Sequence, residues 1–538
     1  MDSDSDELTA AITAQVEEWS SNSNECFTIE LVRSDGSQAA TFQPEFTYPI
    51  FGEQESIFGY RDLAITLKFA AHDLRPQLSV IYSEKFKELG EVKPTDIEEA
   101  LKEFLPEEAF GDQTSEDAVL NGNGAEFKPP GERIHSYSRD GKRYEVWCAS
   151  LANEAAKQLL ENMEILVPMF IEGGTMLQLE QDWTTQRWKL FLLYEISPTT
   201  SADCSPYCLI GYATSYRVFT FPDRQKPLQS DLDMLIPTTQ SVLDFLPPPE
   251  LDPNEFAPTA MPGNISSPLD LPSRERLSQF LIFPPWQNAG HGQELYNKIY
   301  THLTKPSNIR EFTVEDPNEA FDDLRDHCDL VYLRSHVPEF TALRINTNLP
   351  ADKLRPDTHI PTDLIVPLET RELIRAKTKL MPRQLDRLVE MHTLSFIPPI
   401  SRSRNRITRK EKTSGENDKA YFFWRLYVKQ RLYVFNRDQL VQLERAERVE
   451  RLEATVDSVV EGYVKCLERV ERREKAGAAA GVGVAGGETV EGATAPKGRL
   501  GKRRVIEEDE EDAEDSKMQE AVKEKIVAVN GHKKARME

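Results

Sequence analysis

Three places in this chain carry residue types whose spacing could do chemistry. The first is the run Gln287, Asn288, Ala289, Gly290, His291, Gly292. An apolar stretch over 277–283 reads as a strand leading into it. Leucine, tyrosine and isoleucine then recur at helical spacing over 292–303. A glycine turn at a helix start points backbone N–H groups outward at the positive end of the helix dipole, which suits phosphate oxygens. Gly290 and Gly292 carry no side chain to block a close approach or to resist a positive φ. An ordinary strand–turn–helix link would leave the same trace. The second place is Glu315 and Asp316, which close the strand-like "REFTV" just before Pro317. Adjacent strand side chains diverge, so these two share a role only if the pleat breaks. The third is Glu172, which follows the apolar "PMFI" and precedes Gly173 and Gly174, as a residue at an opening would.

Other patterns lose their meaning in context. The glycine turn has no Lys–Ser/Thr after its last glycine, so it is not a nucleoside-triphosphate loop. "GVGVAGG" at 481–487 spells a dinucleotide fingerprint, but a charged helix and an alanine run precede it, with no βαβ unit around it. Cys204 and Cys208 have no second pair to complete a metal set and read as free thiols. No serine, cysteine and histidine grouping suggests an acyl-enzyme.

The elements that must position these residues fall into several segments. Residues 1–24 are polar. Residues 25–130, with "FTIELV", "ITLKFA", "LSVIYS" and a capped helix in "PTDIEEALKEFLPEE", read as a small α+β domain. Residues 131–345 read as a second domain. It has a hairpin turning at Asp140 and Gly141, a helical stretch ending at Gly173, and two aromatic strands, "RWKLFLLYEIS" and "YCLIGYATSYRVFTF". A Pro-, Asp- and Ser-rich insertion, 222–270, interrupts it. Residues 346–475 are helical, with a basic linker at 401–418. Residues 476–538 are a low-complexity tail expected to be disordered.

With 538 residues, the chain is long enough for two to four domains. The apolar runs are too short for a membrane span. The formal net charge is −25. Residues 471–538 carry 14 Lys/Arg against 15 Asp/Glu, so nearly all of the excess lies on residues 1–470. Such a body repels bare nucleic acid and attracts a basic protein or peptide, unless the charge serves solubility alone.

"QFLIFPPWQNAGHGQELY" resembles the coenzyme A loop of the GCN5-related N-acetyltransferases, whose form is Gln/Arg-x-x-Gly-x-Gly/Ala. "FIEGG", "RLSQFLIFPP", "EFTVEDPNEAFDDLRD", "LDRLVEM" and "YFFWRLYVKQRLY", in that order, narrow the resemblance to a fungal-like branch, the type B histone acetyltransferase catalytic subunits. It covers roughly residues 25–470. It implies an α+β fold: a central mixed sheet flanked by helices, a separate N-terminal α+β domain and a helical C-terminal region.

The resemblance also implies a site. Leu281, Ile282 and Phe283 offer a backbone edge to the pantetheine arm of acetyl-CoA. Gln287, Asn288, Ala289, Gly290, His291 and Gly292 hold the pyrophosphate, with Asn318 and Phe321 alongside. Phe321 reads equally as a core aromatic. Where relatives sometimes carry a basic residue, this chain has His327. An amine must shed its proton before attacking a thioester. The resemblance makes Glu315 the leading base, with Glu172 and Asp316 as supporting or alternative carboxylates and at least one pKa raised by crowding. No metal is expected. The implied reaction is direct transfer, in a ternary complex, to a lysine of a histone tail, above all newly made histone H4. The implied partners are a WD-repeat histone-binding subunit, histone H3 and chaperones, with neither nucleic acid nor membrane bound directly. The implied location is cytoplasm and nucleus, with "GKRR" at 501–504 as an import-type cluster. A histone-binding scaffold without catalysis and a small-amine N-acetyltransferase are the two other classes the sequence leaves open.

Overall fold

Phe27, Ile29 and Leu31 alternate with polar residues and are almost fully buried, so Phe27–Val32 (β1) must lay one face on a core. Gln38–Phe42 (β2), Ala64–Ala70 (β3) and Pro76–Ile81 (β4) complete a four-stranded sheet of order β2-β1-β3-β4, in which β1 and β3 run parallel. A short helix, Ile97–Leu101 (α1), follows, with Asp96 capping Glu99 N–H. The computed structural model describes residues 18–88, 92–111, 124, 126–179, 182–197, 204–220, 267–355, 358–408 and 415–481. The N-terminal residues 1–17, residue 221 with residues 222–266 of the insertion, residues 409–414 of the linker and the tail from 482 lie outside these.

A six-stranded sheet carries the rest of the β structure. Glu132–Arg139 (β5) and Lys142–Ser150 (β6) form the expected hairpin, and Asp140 (φ 51°) and Gly141 (φ 78°) both take the positive φ its turn needs. Trp188–Ile196 (β7), Tyr207–Phe219 (β8), Ser273–Ile282 (β9) and Ile309–Val314 (β10) follow, in the order β10-β9-β8-β7-β6-β5. All neighbours are antiparallel except β9 and β10. β7 and β8 are buried along most of their length on both faces, which is why they read as continuous apolar runs rather than as alternation. Phe219 pairs with Ser273, so the whole insertion is the connection of a hairpin.

The two sheets share one core. The Phe42 ring lies 5.8 Å from Phe170 and 6.0 Å from Phe283, and Leu209 N–H donates to Ala71 across 2.7 Å. Glu154–Met163 (α2) and Leu166–Phe170 (α3) replace the single helical stretch read from sequence, with the chain re-forming its helix ahead of Pro168. His291–Thr304 (α4) follows the glycine turn, and Glu319–His336 (α5) follows β10. The C-terminal region is helical: Leu368–Thr378 (α6), Pro382–Ser395 (α7), Glu416–Phe435 (α8) and Arg445–Gly481 (α9). Part of the expected linker is also helical, at Arg404–Thr408. Buried Glu390 on α7 accepts from Arg431 on α8 at 2.7 and 2.8 Å and from Tyr463 on α9 at 2.8 Å, so one charged network ties three helices. Breaking such a network strands a buried charge, at a cost of about 3–5 kcal/mol.

Candidate functional site

The site begins where two parallel strands part. β9 and β10 pair from Ser273 and Ile309 up to Leu277 and Val314, and there the ladder ends. Beyond it β9 runs on with β8 on one side and, among the described residues, no strand on the other. That leaves an open backbone edge at Phe280, Leu281 and Ile282. A bulge lies at the same point: Ser278 and Gln279 oppose the single residue Thr214 on β8, and the Thr214 hydroxyl takes the Gln279 N–H at 3.1 Å.

Glu315 is the first residue past the pairing, and its N–H still reaches Leu277 O at 2.9 Å. Its carboxylate is held at both oxygens. Tyr216 O–H donates to Oε1 at 2.8 Å, and Ser278 O–H donates to Oε2 at 2.7 Å. The Arg276 guanidinium stands 3.6 Å from Oε1. Trp188 packs on the Tyr216 ring at 4.5 Å. Burial first, then the bond to Glu315, raises the Tyr216 phenol, so it stays a donor. The residue is about one-third exposed, fixed in direction yet reachable.

Asp316 leaves this cluster. Its φ of 31° breaks the strand, and the side chain turns to a cavity of about 550 Å³ walled by Arg274, Arg276, Arg383 and Arg387. The two neighbouring carboxylates thus have different surroundings, as strand alternation suggests. Glu172 is exposed and, among the described residues, makes no side-chain hydrogen bond or ion pair to either. Its segment is joined to the bulge instead, through Gln279 Nε2 donating to Thr175 O at 2.9 Å.

The glycine turn is held from outside as well as by its own backbone. Asn288 (φ 57°) and Gly290 (φ 81°) are left-handed, and a Cβ on Gly290 would stand 2.9 Å from Arg139 Nη1. Gly292 differs: its backbone is helical and a Cβ there would meet only ordinary contacts from Leu324 and Ile282. It has no conformational need to be glycine. Alternate residues of β5 reach across to the turn. Arg139 donates to Ala289 O at 2.7 Å, Tyr137 O–H meets His291 Nδ1 at 2.7 Å, and His135 pairs with Glu294 at 2.9 Å. The His291 ring is buried beneath the turn, and burial first, then the charge of Arg139, lowers its pKa. Gln287 Nε2 donates to Ile282 O at 2.9 Å, closing the turn onto β9. Asn318 caps α5, its Oδ1 accepting Phe321 N–H at 2.9 Å, and the Phe321 ring packs edge-on against Phe280 and Tyr296. The turn, an open strand edge and a fixed carboxylate therefore follow one another along β9. That order suits a long ligand with phosphate at one end and the reacting group at the other.

Known proteins are similar to this chain along most of its length. The family model "Histone acetyl transferase HAT1 N-terminus" matches residues 19–172. The histone acetyltransferase type B catalytic subunit of Aspergillus fumigatus is 37% identical over 521 residues, 92% of this chain and 86% of that protein. The Aspergillus oryzae subunit is 38% identical over 85% of this chain and 88% of its own, and that of Emericella nidulans 39% identical over 85% and 90%. This chain belongs to that family, the histone acetyltransferase type B catalytic subunits. As a type B catalytic subunit it is an enzyme, and its mixed sheet with flanking helices is the fold the resemblance implied. Among the described residues no group of three or more His, Cys, Asp or Glu could hold a metal ion, and none of the six cysteines is in a disulfide. No described helix is long and apolar enough to cross a membrane. Sequence reasoning missed Tyr216, Ser278, Arg276 and the Arg139–Tyr137 brace. Ser278 lay inside the quoted strand "RLSQFLIFPP", but only the bulge aims it at Glu315.

Proposed function

We propose that this chain transfers an acetyl group from acetyl-CoA to a lysine side chain of a histone tail, with newly synthesised H4 as the preferred substrate. The attack is direct, in a ternary complex. The observation that carries this is Glu315: a carboxylate just past β10, gripped at both oxygens where β10 parts from β9, the strand that leads to the glycine turn. The open edge of β9 at Leu281 and Ile282 takes the pantetheine, while Phe283, expected to share that edge, instead donates its N–H to Ile210 O at 2.9 Å; the N–H groups of the turn from Gln287 to Gly292 take the pyrophosphate. Arg139 adds a positive charge beside Gly290. Phe321 lines the apolar side of the arm, with Asn318 nearby.

A lysine arrives as an ammonium. Glu315, directly or through a water, takes one proton; the freed nitrogen attacks the thioester carbonyl; the carbon–sulfur bond then breaks, and the nitrogen's second proton goes to the departing sulfur, so that coenzyme A leaves as the free thiol. Tyr216 and Ser278 keep the carboxylate aimed throughout. Asp316 and Glu172 act on the approaching cation by charge, since neither shares Glu315's cluster. The WD-repeat subunit, histone H3, chaperones and a cytoplasmic and nuclear location belong to the same proposal, tested by co-purification and imaging. The central test is an acetylation assay across histone-tail peptides and small amines, with wild type beside Glu315→Gln. Turnover of H4 peptides that collapses in the variant is the expected result. Preference for small amines would replace the peptide reading.

A further inference from the structure

A second cavity, of about 610 Å³, lies between the turn after α1, helices α2 and α3, and the segment that follows Glu172. Its chemistry is mixed in a particular way. Phe104, Leu160, Met176 and Leu177 give apolar walls, and Glu103, Glu161 and Glu164 give carboxylates. Lys157 answers Glu161 at 3.8 Å. Glu164 is half-buried and has no side-chain hydrogen bond or ion pair among the described residues. A buried tyrosine in the adjoining sheet is also unanswered. Tyr212 on β8 is fully buried, and its hydroxyl has no hydrogen-bond partner among the described residues. Burial and then the charge of Glu164 push that phenol upward. Thr214, on the same face of β8, leads through Gln279 to Thr175 O, which belongs to the cavity wall.

An aliphatic stem ending in an ammonium matches such a space: methylenes against the walls, and the charge on an unanswered carboxylate. We propose that this cavity is a second lysine-reading pocket, in which Glu164 binds the ammonium of a lysine flanking the one that is acetylated. The assignment rests on the acetyltransferase reading above and adds to it a rule of spacing. Glu164 is raised to about 7, by burial first and Glu161 second, so it is a carboxylate that a bound cation would relieve. The wall residues Gly174 and Thr175 lie two and three residues past Glu172, so a peptide lying past that residue would carry its next side chains here.

The test uses the full chain with coenzyme A and fluorescent peptides that hold one acceptor lysine and a second lysine at varied spacing. In a matched set norleucine replaces the second lysine, keeping the stem and losing the charge. At the fitting spacing wild type should bind the lysine peptide about tenfold more tightly, the scale of one charge-assisted hydrogen bond. Glu164→Gln should erase that ratio while keeping the melting temperature. Glu103→Gln, on the opposite wall, should reduce it about twofold and serves if Glu164→Gln does not fold. An unchanged lysine-to-norleucine ratio in a folded variant, or no preference at any spacing in wild type, would overturn the pocket. Acetylation is followed in the same samples. Binding preference without turnover would support the pocket and reject the acetyltransferase reading; turnover without preference would do the reverse.

Discussion

The glycine turn at the end of β9 and Glu315 beside that strand's middle are assembled differently. The turn is six consecutive residues whose shape follows from two left-handed φ angles, at Asn288 and Gly290, and whose useful groups are backbone N–H donors. The carboxylates come from separate places, and only Glu315 is locked, by hydroxyls from β8 and β9. Asp316 turns to an arginine-lined cavity and Glu172 stays exposed. A binding element made of backbone is carried by a short string of residues. A reacting group made of side chains depends on the register of strands that are far apart in sequence.

The comparison predicts that chemistry and coenzyme binding can be lost separately. Glu315→Gln should lower kcat by about 100-fold or more, the usual scale for a positioned base, with coenzyme A affinity within about twofold by calorimetry. Full activity would move the role to Asp316 or Glu172. Next in size, Gly290→Val should weaken coenzyme A binding at least about tenfold, because a branched side chain at φ 81° meets Arg139 and carries about 1–3 kcal/mol of backbone strain. Gly292→Ala, with helical φ and room for a methyl, should cost less than about threefold. Equal losses in both would mean that ligand approach, not backbone shape, decides the turn. A smaller effect is expected for Tyr216→Phe. Losing one of two hydroxyls on Glu315 removes about 1 kcal/mol, or about fivefold in kcat, with little change in KM.

Much of the fold was legible in the residues, for identifiable reasons. The hairpin at Asp140 and Gly141, the alternation in β1 and the strand–turn–helix at 277–303 are each local, so their signals survive in short windows. The turn was found for the same reason. What stayed hidden is non-local. Tyr216 reaches Glu315 only because β8 pairs with β9 across the insertion, and Ser278 joins them only because the bulge opposite Thr214 turns it. The Arg139 brace needs β5 to come up against α4, which nothing in either segment announces. Gly292 shows the opposite error, since the sequence pattern gives it a conformational role that its helical φ does not support.

The smallest predicted effect tests whether both regions rely on the same core. His392 on α7 is buried; burial first, then Arg334, holds its pKa down to about 4. An unfolded histidine titrates near 6.5, so between about 6.5 and 4 the unfolded chain binds the extra proton and the folded chain does not. The stability it supports is therefore full above that window and lost as pH falls through it. His392→Gln should flatten the acid side of the melting-temperature profile by a few degrees. Coenzyme binding and turnover should fall together in wild type over the same range. Loss of one without the other would show that the two regions unfold independently.

The pairing of Phe219 with Ser273 bears on how this chain could be re-engineered. Both ends of the insertion are fixed in adjacent strands that have further strands on either side. Closing a longer loop costs only about 0.6 kcal/mol per doubling of its length, so the ladder barely senses how many residues lie between. A reporter domain spliced between 221 and 266, or a short turn put in place of that stretch, should leave Tyr216 and Ser278 facing Glu315. For the same reason the chain could be expressed as two pieces cut there, with reassembly guided by the β8/β9 seam and recovered acetylation as the readout of docking.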